Sequence, residues 1–177
     1  MSESPARDAA PIAIGWQLRP LALEEAPLAY PLLVALDGAA EPLPAWCDRV
    51  GRWLRPETAE PGRRGIVTLR NRHGVIHALF FYTLDPPPTP TIMVVGPLRA
   101  VEPTDAWHGL GATLRSAERI ALEHGCRGIL LRAEPRSSAW AHIHDAMTQL
   151  GHAFGYEPRG HDWYHPLEAH RTGVRPT

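Results

Sequence analysis

The stretch that decides the fold is Val101-Glu-Pro-Thr-Asp-Ala-Trp-His-Gly109-Leu-Gly111-Ala-Thr-Leu-Arg-Ser-Ala-Glu-Arg-Ile-Ala-Leu-Glu-His-Gly125. It predicts the end of a strand, a turn with two glycines, and an amphipathic helix that ends at Gly125. The first N–H groups of a helix have no partner within it and lie at the positive end of the helix dipole, so such a turn can bind a phosphate group. Because a strand follows at residues 128–133, the order strand, turn, helix, strand predicts a unit that binds a nucleotide-like ligand.

Two glycines at the start of a helix have a second interpretation. They also occur where a tight turn packs closely against its neighbours, and that arrangement needs no ligand. On this stretch alone, both interpretations stay open.

Length and composition fit one domain with one core, because the chain has 177 residues. The net charge of −1 gives no indication of a nucleic-acid or membrane partner. The sequence contains no run of about 18 apolar residues, so no membrane-spanning helix is predicted. The polar start of the chain is unlike a signal peptide, so we expect a cytoplasmic protein. Cys47 and Cys126 lack metal-ligand spacing, which favours buried free thiols in a reducing compartment.

The chain contains no lysine, and all 18 of its fixed cations are arginine. A P-loop nucleotidase needs a lysine that reaches the phosphates, and a pyridoxal-phosphate enzyme needs a lysine for its Schiff base. The sequence also lacks the Gly-x-Ser-x-Gly motif of many hydrolases. These absences argue against all three classes of enzyme.

Hydrophobic patterns predict the other elements. A strand is expected at residues 14–21, a helix from 23 to about 36 that Pro31 kinks or splits, and a short helix after Pro44. Strands at 65–70 and 75–84 should form a hairpin, and a strand at 91–101 contains Gly96-Pro97, which predicts a bulge or a break in pairing. A helix from 139 to about 153 and a strand at 161–167 complete one domain at 14–167, between loose tails at 1–13 and 168–177.

The first stretch resembles the acetyl-CoA-binding segment of the GNAT superfamily of N-acetyltransferases. The family signature is Val-x-Pro-x-x-(Arg/Gln)-x-x-Gly-x-(Gly/Ala), then a helix of the type x-x-Leu-x-x-x-Ala, then Gly and a hydrophobic strand. Ala106 stands where the family usually has Arg or Gln. The order of predicted elements and the segment Gly155-Tyr-Glu-Pro-Arg-Gly160 are also similar to the family. The positions that match the signature are Val101, Pro103, Gly109, Gly111, Leu114, Ala117 and Gly125.

This resemblance implies an α/β fold with a mixed, mostly antiparallel central sheet, flanking helices and a splayed strand pair. It also implies acetyl-CoA as co-substrate, no metal, and direct attack of an amine on the thioester in a ternary complex. A backbone N–H would stabilise the oxyanion. The pantetheine arm would contact the main chain of Arg99 and Val101. The N–H groups implied for the pyrophosphate are those of Trp107, His108, Gly109, Leu110, Gly111 and Ala112.

Proton transfer is harder to assign. Family members often carry a tyrosine in the last helix as the acid for the leaving thiolate, and that position falls on His144 by one count and on Met147 by another. His144 is a candidate because imidazole exchanges protons near neutral pH, although a histidine on a helix surface has the same pattern. Glu134 could act as a base through water, and its alternative is a solvated or helix-capping carboxylate.

Ten histidines raise the question of a metal site. His142 and His144 would point to different faces of a helix, and His161 and His165 would lie far apart on a strand. Because no ligand set converges, no metal is predicted. Trp107 lies within the turn and is available to the cofactor or to a partner chain, so a homodimer stays open.

We therefore expect transfer of an acetyl or other short acyl group from acyl-CoA to the amine of a small molecule or a peptide. The alternative is a non-catalytic GNAT-like module for CoA binding, regulation or interaction, which Ala106 and the missing tyrosine favour. A third hypothesis is a partner-binding domain whose turn binds no ligand.

Overall fold

The computed structural model describes residues 16–37, 41–55, 63–84, 92–100, 106–134 and 138–167. In these ranges there are four α-helices: α1 Ala26–Asp37, α2 Leu43–Leu54, α3 Ala106–Glu123 and α4 Ser138–Leu150. Short 3₁₀ helices at Leu23–Glu25 and Gly151–Phe154 precede α1 and follow α4. The strands are β1 Gln17–Pro20, β2 Arg64–Arg70, β3 Ile76–Leu84, β4 Ile92–Ala100, β5 Gly128–Leu131, β6 Glu157–Arg159 and β7 Asp162–Pro166.

The strands form one sheet in the order β1-β2-β3-β4-β5-β7-β6. Only β4 and β5 pair in parallel, and every other neighbouring pair is antiparallel. Parallel neighbours need a long crossover connection, which α3 provides. The predicted mixed, mostly antiparallel sheet with flanking helices is confirmed.

The sheet is buried on both faces. On β3, Phe80 belongs to a core cluster with residues of α3 and α4, whereas Leu79 and Phe81 belong to a cluster with residues of α1 and α2. Because successive strand residues point to opposite faces, β3 carries both layers of the core. Its almost continuous apolar sequence predicted such a central strand, and the structure confirms it.

The predicted bulge in β4 is also present. Tyr82 pairs with Val95 and Phe80 pairs with Leu98, so Gly96 and Pro97 together face a single residue of β3. An extra residue in one strand bends that strand and increases its twist. The bend falls just before the end of β4.

Three other expectations differ from the structure. β6 was not predicted, because its three residues are all exposed and include Pro158, so they show no alternation of apolar and polar side chains. α1 continues through Pro31 without a break, and that residue lies on the exposed side of the helix. α4 ends at Leu150, where the 3₁₀ helix begins. The predicted tails lie outside the described residues.

A partly buried ion pair joins the 3₁₀ helix before α1 to the sheet. Arg70 of β2 is buried, and its Nη1 and Nη2 donate to the two carboxylate oxygens of Glu25 at 2.8 and 2.7 Å. Glu25 also accepts the N–H of Ala22 at 3.2 Å. The hydrogen bond from Arg70 is the main cause that holds the pKa of Glu25 below its ordinary value, against the opposing effect of burial. The pair therefore favours the ionised carboxylate.

Replacing Glu25 with Gln should lower the free energy of unfolding by about 2 kcal/mol near neutral pH, because buried Arg70 loses its counter-charge. The pKa of Glu25 is lower in the folded state than in the unfolded state. Its contribution is thus complete above the unfolded pKa and is lost as pH falls through the folded pKa. Urea titrations at about pH 7 and about pH 4 should show the difference between wild type and variant shrinking in acid.

The matched control is Glu24→Gln at the exposed neighbouring residue, which should change stability by less than about 0.5 kcal/mol. A deficit of Glu25→Gln that is the same at both pH values would contradict the assignment of this charge pair.

Candidate functional site

β4 and β5 run side by side and then separate. Their pairing extends from Ile92 opposite Gly128 to Val95 opposite Leu131, and one more bond joins the N–H of Arg132 to the carbonyl of Val95 at 2.8 Å. Beyond this point β4 remains paired with β3 through Ala100, but it has no register partner on β5 in the part of the sheet that the structure describes. The strands therefore open a wedge at their carboxyl ends, which confirms the predicted splayed pair.

Two local features separate the strands. The bulge at Gly96-Pro97 bends β4 directly after its last pair with β5. On the other side, the N–H of Ala133 donates to Asp162 Oδ1 at 2.8 Å, at the start of β7. Since consecutive N–H groups of a strand point to opposite edges, this bond ties the end of β5 to β7 while β4 turns away.

Replacing Asp162 with Ala should free the end of β5, because the N–H of Ala133 loses its acceptor. We expect a stability loss of about 1–2 kcal/mol and faster hydrogen exchange at the amide of Ala133. Asp162→Asn keeps an acceptor oxygen and should retain most of the protection. Equal exchange of this amide in all three proteins would show that Asp162 does not hold the strand.

An ion pair spans the mouth of the wedge. Arg99 of β4 has a side chain that is 11% exposed, and its guanidinium donates to the carboxylate of Glu134, which follows β5. The same Nη1 donates to the carbonyl of Leu98 at 3.1 Å. Two residues that the sequence singled out, Arg99 and Glu134, are thus brought together. The sequence did not predict their contact, because they are 35 residues apart and no local spacing relates them.

The start of α3 differs from the sequence expectation. α3 begins at Ala106, so Gly109 and Gly111 lie within its first turns and not in a turn before the helix. The N–H groups of residues 110–112 then have carbonyl partners inside the helix, whereas those at Trp107 and His108 lie in the first turn, where no such partner exists. The side chains of Trp107 and His108, and the whole of Val101, lie outside the described residues.

Packing explains one glycine of the pair. A Cβ on Gly111 would lie 2.7 Å from Cζ of Phe154, which is too close for van der Waals contact. A Cβ on Gly109 would meet only Cδ2 of Leu69, at an ordinary 3.7 Å, among the described residues. The close-packing interpretation therefore holds for Gly111, but it does not account for Gly109.

Gly109→Ala and Gly111→Ala should have opposite effects on stability. Alanine favours a helix over glycine, so Gly109→Ala should raise the free energy of unfolding by about 0.5–1 kcal/mol. Gly111→Ala should lower it by about 1–3 kcal/mol, because the methyl group meets Phe154. Thermal unfolding of the two variants measures the difference. Two changes of the same sign would contradict the packing described for this helix.

His144 lies on the exposed side of α4, and its ring meets the edge of Trp163 at a centroid distance of 6.1 Å. Trp163 belongs to β7, which is separated from β4 by β5. No contact in the described ranges joins His144 to Arg99 or Glu134. A catalytic role of His144 stays a prediction.

Within the described ranges, no three His, Cys, Asp or Glu side chains come together as a metal site would require. Cys126 is buried and Cys47 is half-buried, and neither forms a disulfide in the described structure. Among the helices of the same ranges, none is long and apolar enough to cross a membrane.

No protein-family profile matches the chain, and no curated protein is similar to it in sequence. Solved structures nevertheless superpose on most of it. A GCN5-related N-acetyltransferase from Kribbella flavida matches with a TM-score of 0.64 and 13% identity, over 86% of this chain and 98% of that one. The chain has the GNAT fold.

Two aminoglycoside acetyltransferases show the same likeness. The 6'-N-acetyltransferase AAC(6')-Ih from Acinetobacter baumannii has a TM-score of 0.59 and 12% identity, over 81% of this chain and 92% of that one. AAC(6')-Iy, in complex with the bisubstrate analogue CoA-S-monomethyl-acetylneamine, has a TM-score of 0.58 and 15% identity, over 81% and 91%. At these identities the likeness concerns the architecture alone.

Within this GNAT fold, each of the four tyrosines contacts groups other than the Arg99–Glu134 pair. Tyr30 donates to the carbonyl of Glu41 at 2.8 Å, Tyr82 lies over Gly65, and Tyr164 lies over Gly128. Tyr156 stacks on His165, and burial raises the pKa of its hydroxyl, with a smaller effect from Glu118. α4 has no tyrosine at the expected position, and no other tyrosine has a described contact with this pair that could replace it.

Proposed function

We propose that the protein transfers an acetyl or other short acyl group from acyl-CoA to the amine of a small molecule or a peptide. The observation that carries this proposal is the wedge, where the carboxyl ends of two parallel strands separate. A strand edge that is not paired in the sheet can instead bind an extended chain with amide groups. The pantetheine arm of CoA is such a chain.

The acyl-CoA would lie across three parts of the site. The main chain of Arg99 and Val101 would bind the pantetheine amides, and the thioester would lie in the wedge near Glu134. The pyrophosphate would bind at the start of α3, where the N–H groups of the first turn and the helix dipole favour an anion. Gly109 fits this role, because its missing side chain is not explained by packing.

Glu134 is the preferred base for the reaction. The neutral amine attacks the thioester carbon, a C–N bond forms, and the C–S bond breaks so that the thiolate of CoA leaves. The proton lost by the amine passes to Glu134, directly or through a water. The side chain of Glu134 is 33% exposed and can still accept this proton, while Arg99 fixes the position of its carboxylate. His144 is the second candidate for proton transfer.

A non-catalytic CoA-binding or regulatory module is the runner-up. Two observations favour it: the carboxylate of Glu134 is already engaged by Arg99, and no described tyrosine contact supplies the leaving-group acid. This alternative shares the binding site with the enzyme and differs from it only in turnover.

Acetyl-CoA should bind and stabilise the folded protein. At a ligand concentration 100-fold above Kd, the gain is about 2.7 kcal/mol, which raises the melting temperature by a few degrees. Thermal unfolding and isothermal titration calorimetry measure both quantities. No shift and no heat at millimolar acetyl-CoA would remove the enzyme and the module together.

Turnover separates the two hypotheses. With a panel of amines and peptide N-termini, we expect thiol release from acetyl-CoA that increases with pH as the amine loses its proton. Glu134→Gln should lower kcat by about 10²–10⁴-fold with acetyl-CoA binding retained. The matched control is Glu157→Gln, which makes the same change at an exposed residue of β6.

If kcat falls in His144→Gln and not in Glu134→Gln, His144 is the residue that transfers the proton. Proven binding of acetyl-CoA without thiol release for any acceptor would favour the module.

A further inference from the structure

One arginine beside the start of α3 carries a charge that no described residue neutralises. Arg115 lies on α3, and helical side chains lean toward the N-terminal end of their helix. Its Nη1 lies 3.6 Å from the position that a Cβ would take on Gly111. The guanidinium therefore lies beside Gly111, near the N-terminal end of α3, where the N–H groups of the first turn lack helix partners.

The guanidinium of Arg115 is held in place by an aromatic ring. Its Cζ lies 5.8 Å from the ring centroid of Phe154, in the 3₁₀ helix after α4. Phe154 is the residue whose ring also excludes a side chain at Gly111. Stacking of this kind pre-organises the donors of arginine, because the guanidinium is planar and loses less freedom when it binds.

Three arginines on α3 and the neighbouring strands have carboxylate partners. Arg99 pairs with Glu134, Arg70 pairs with Glu25, and Arg119 lies 3.7 Å from Glu123 on the same helix. Arg115 is half-buried, it has no ion pair in the described ranges, and its Nε is buried with no hydrogen-bond partner. A permanently charged group held without a counter-ion at a partly dry site favours an anion from outside the chain.

We propose that Arg115 binds a phosphate group of the acyl-CoA. This proposal rests on the proposed function, and it adds a residue that the sequence motif did not indicate. The family signature has Arg or Gln at the position of Ala106, and here Arg115 would supply the charge from further along α3. The N–H groups of the first turn and the dipole provide partial charges, and Arg115 adds a full one with a fork that suits phosphate oxygens.

Acyl-CoA has phosphate at two places, the pyrophosphate and the 3′-phosphate of the ribose, and three ligands separate them. Acetyl-CoA has both, acetyl-dephospho-CoA lacks the 3′-phosphate, and S-acetylpantetheine has no phosphate. Arg115→Gln should weaken acetyl-CoA binding about tenfold or more in calorimetry, because a charge-assisted hydrogen bond is lost. Binding of S-acetylpantetheine, measured by competition, should not change.

The pattern of losses identifies the phosphate. A loss for acetyl-CoA but not for acetyl-dephospho-CoA places Arg115 at the 3′-phosphate, and an equal loss for both places it at the pyrophosphate. Arg119→Gln is the matched control, because it removes the same charge from the same helix at a residue whose side chain is 60% exposed. This control should bind all three ligands as the wild type does.

Arg115→Lys keeps the charge without the fork, so it should bind acetyl-CoA more weakly than wild type and S-acetylpantetheine equally well. It provides the measurement if Arg115→Gln does not fold. The proposal is overturned if Arg115→Gln binds acetyl-CoA as tightly as wild type, or if it loses the same factor for all three ligands. A wild type that does not bind acetyl-CoA would instead remove the proposed function.

Discussion

The structure depends on the place where β4 and β5 stop pairing while the end of β5 remains bonded to β7. The N–H of Arg132 still bonds to Val95 on β4, but the N–H of Ala133 bonds to Asp162 at the start of β7. The bond to Asp162 is on the edge of β5 that faces away from β4, so it keeps the end of β5 with β7. The bulge at Gly96-Pro97 provides the matching turn in β4.

Where β4 and β5 separate, polar side chains take the place that apolar core residues occupy elsewhere in the sheet. Arg99 follows the bulge, and its nearly buried side chain crosses to Glu134 on the other side of the wedge. A buried guanidinium without this carboxylate would be strongly unfavourable. The ion pair therefore lets the sheet remain open at one end while the other end keeps an apolar core. It also leaves a positioned carboxylate at the only part of β4 that has lost its strand neighbour within the described sheet.

Sequence patterns predicted those elements whose burial is periodic or continuous, together with the bulge, because Gly96-Pro97 cannot sustain a regular ladder. β6 has no such pattern, since its residues are exposed, and it was missed. The start of α3 was misjudged, because the glycines suggest a turn, whereas α3 begins at Ala106 and contains both of them. Close packing on Phe154 explains Gly111, and no local sequence pattern encodes that contact. The contacts of Arg99 and Arg115 join distant parts of the chain, and no local spacing encodes them. Glu134 was found from its position after a strand, but its partner was not.

Because the chain contains no lysine, all of these cationic contacts are made by arginine. Arg70 donates to both carboxylate oxygens of Glu25, and Arg99 donates to the carboxylate of Glu134 and to a backbone carbonyl. Arg115 lies over the ring of Phe154. The two-point contact of Arg70 and the ring contact of Arg115 use the planar guanidinium, which the point charge of lysine does not reproduce. The absence of lysine also has a chemical consequence for the proposed acyl transfer. Acyl thioesters react with lysine amines, and this chain contains no lysine side chain to acylate. In the proposed reaction, no ε-amine within the sequence given would therefore compete with the substrate amine for the acyl group.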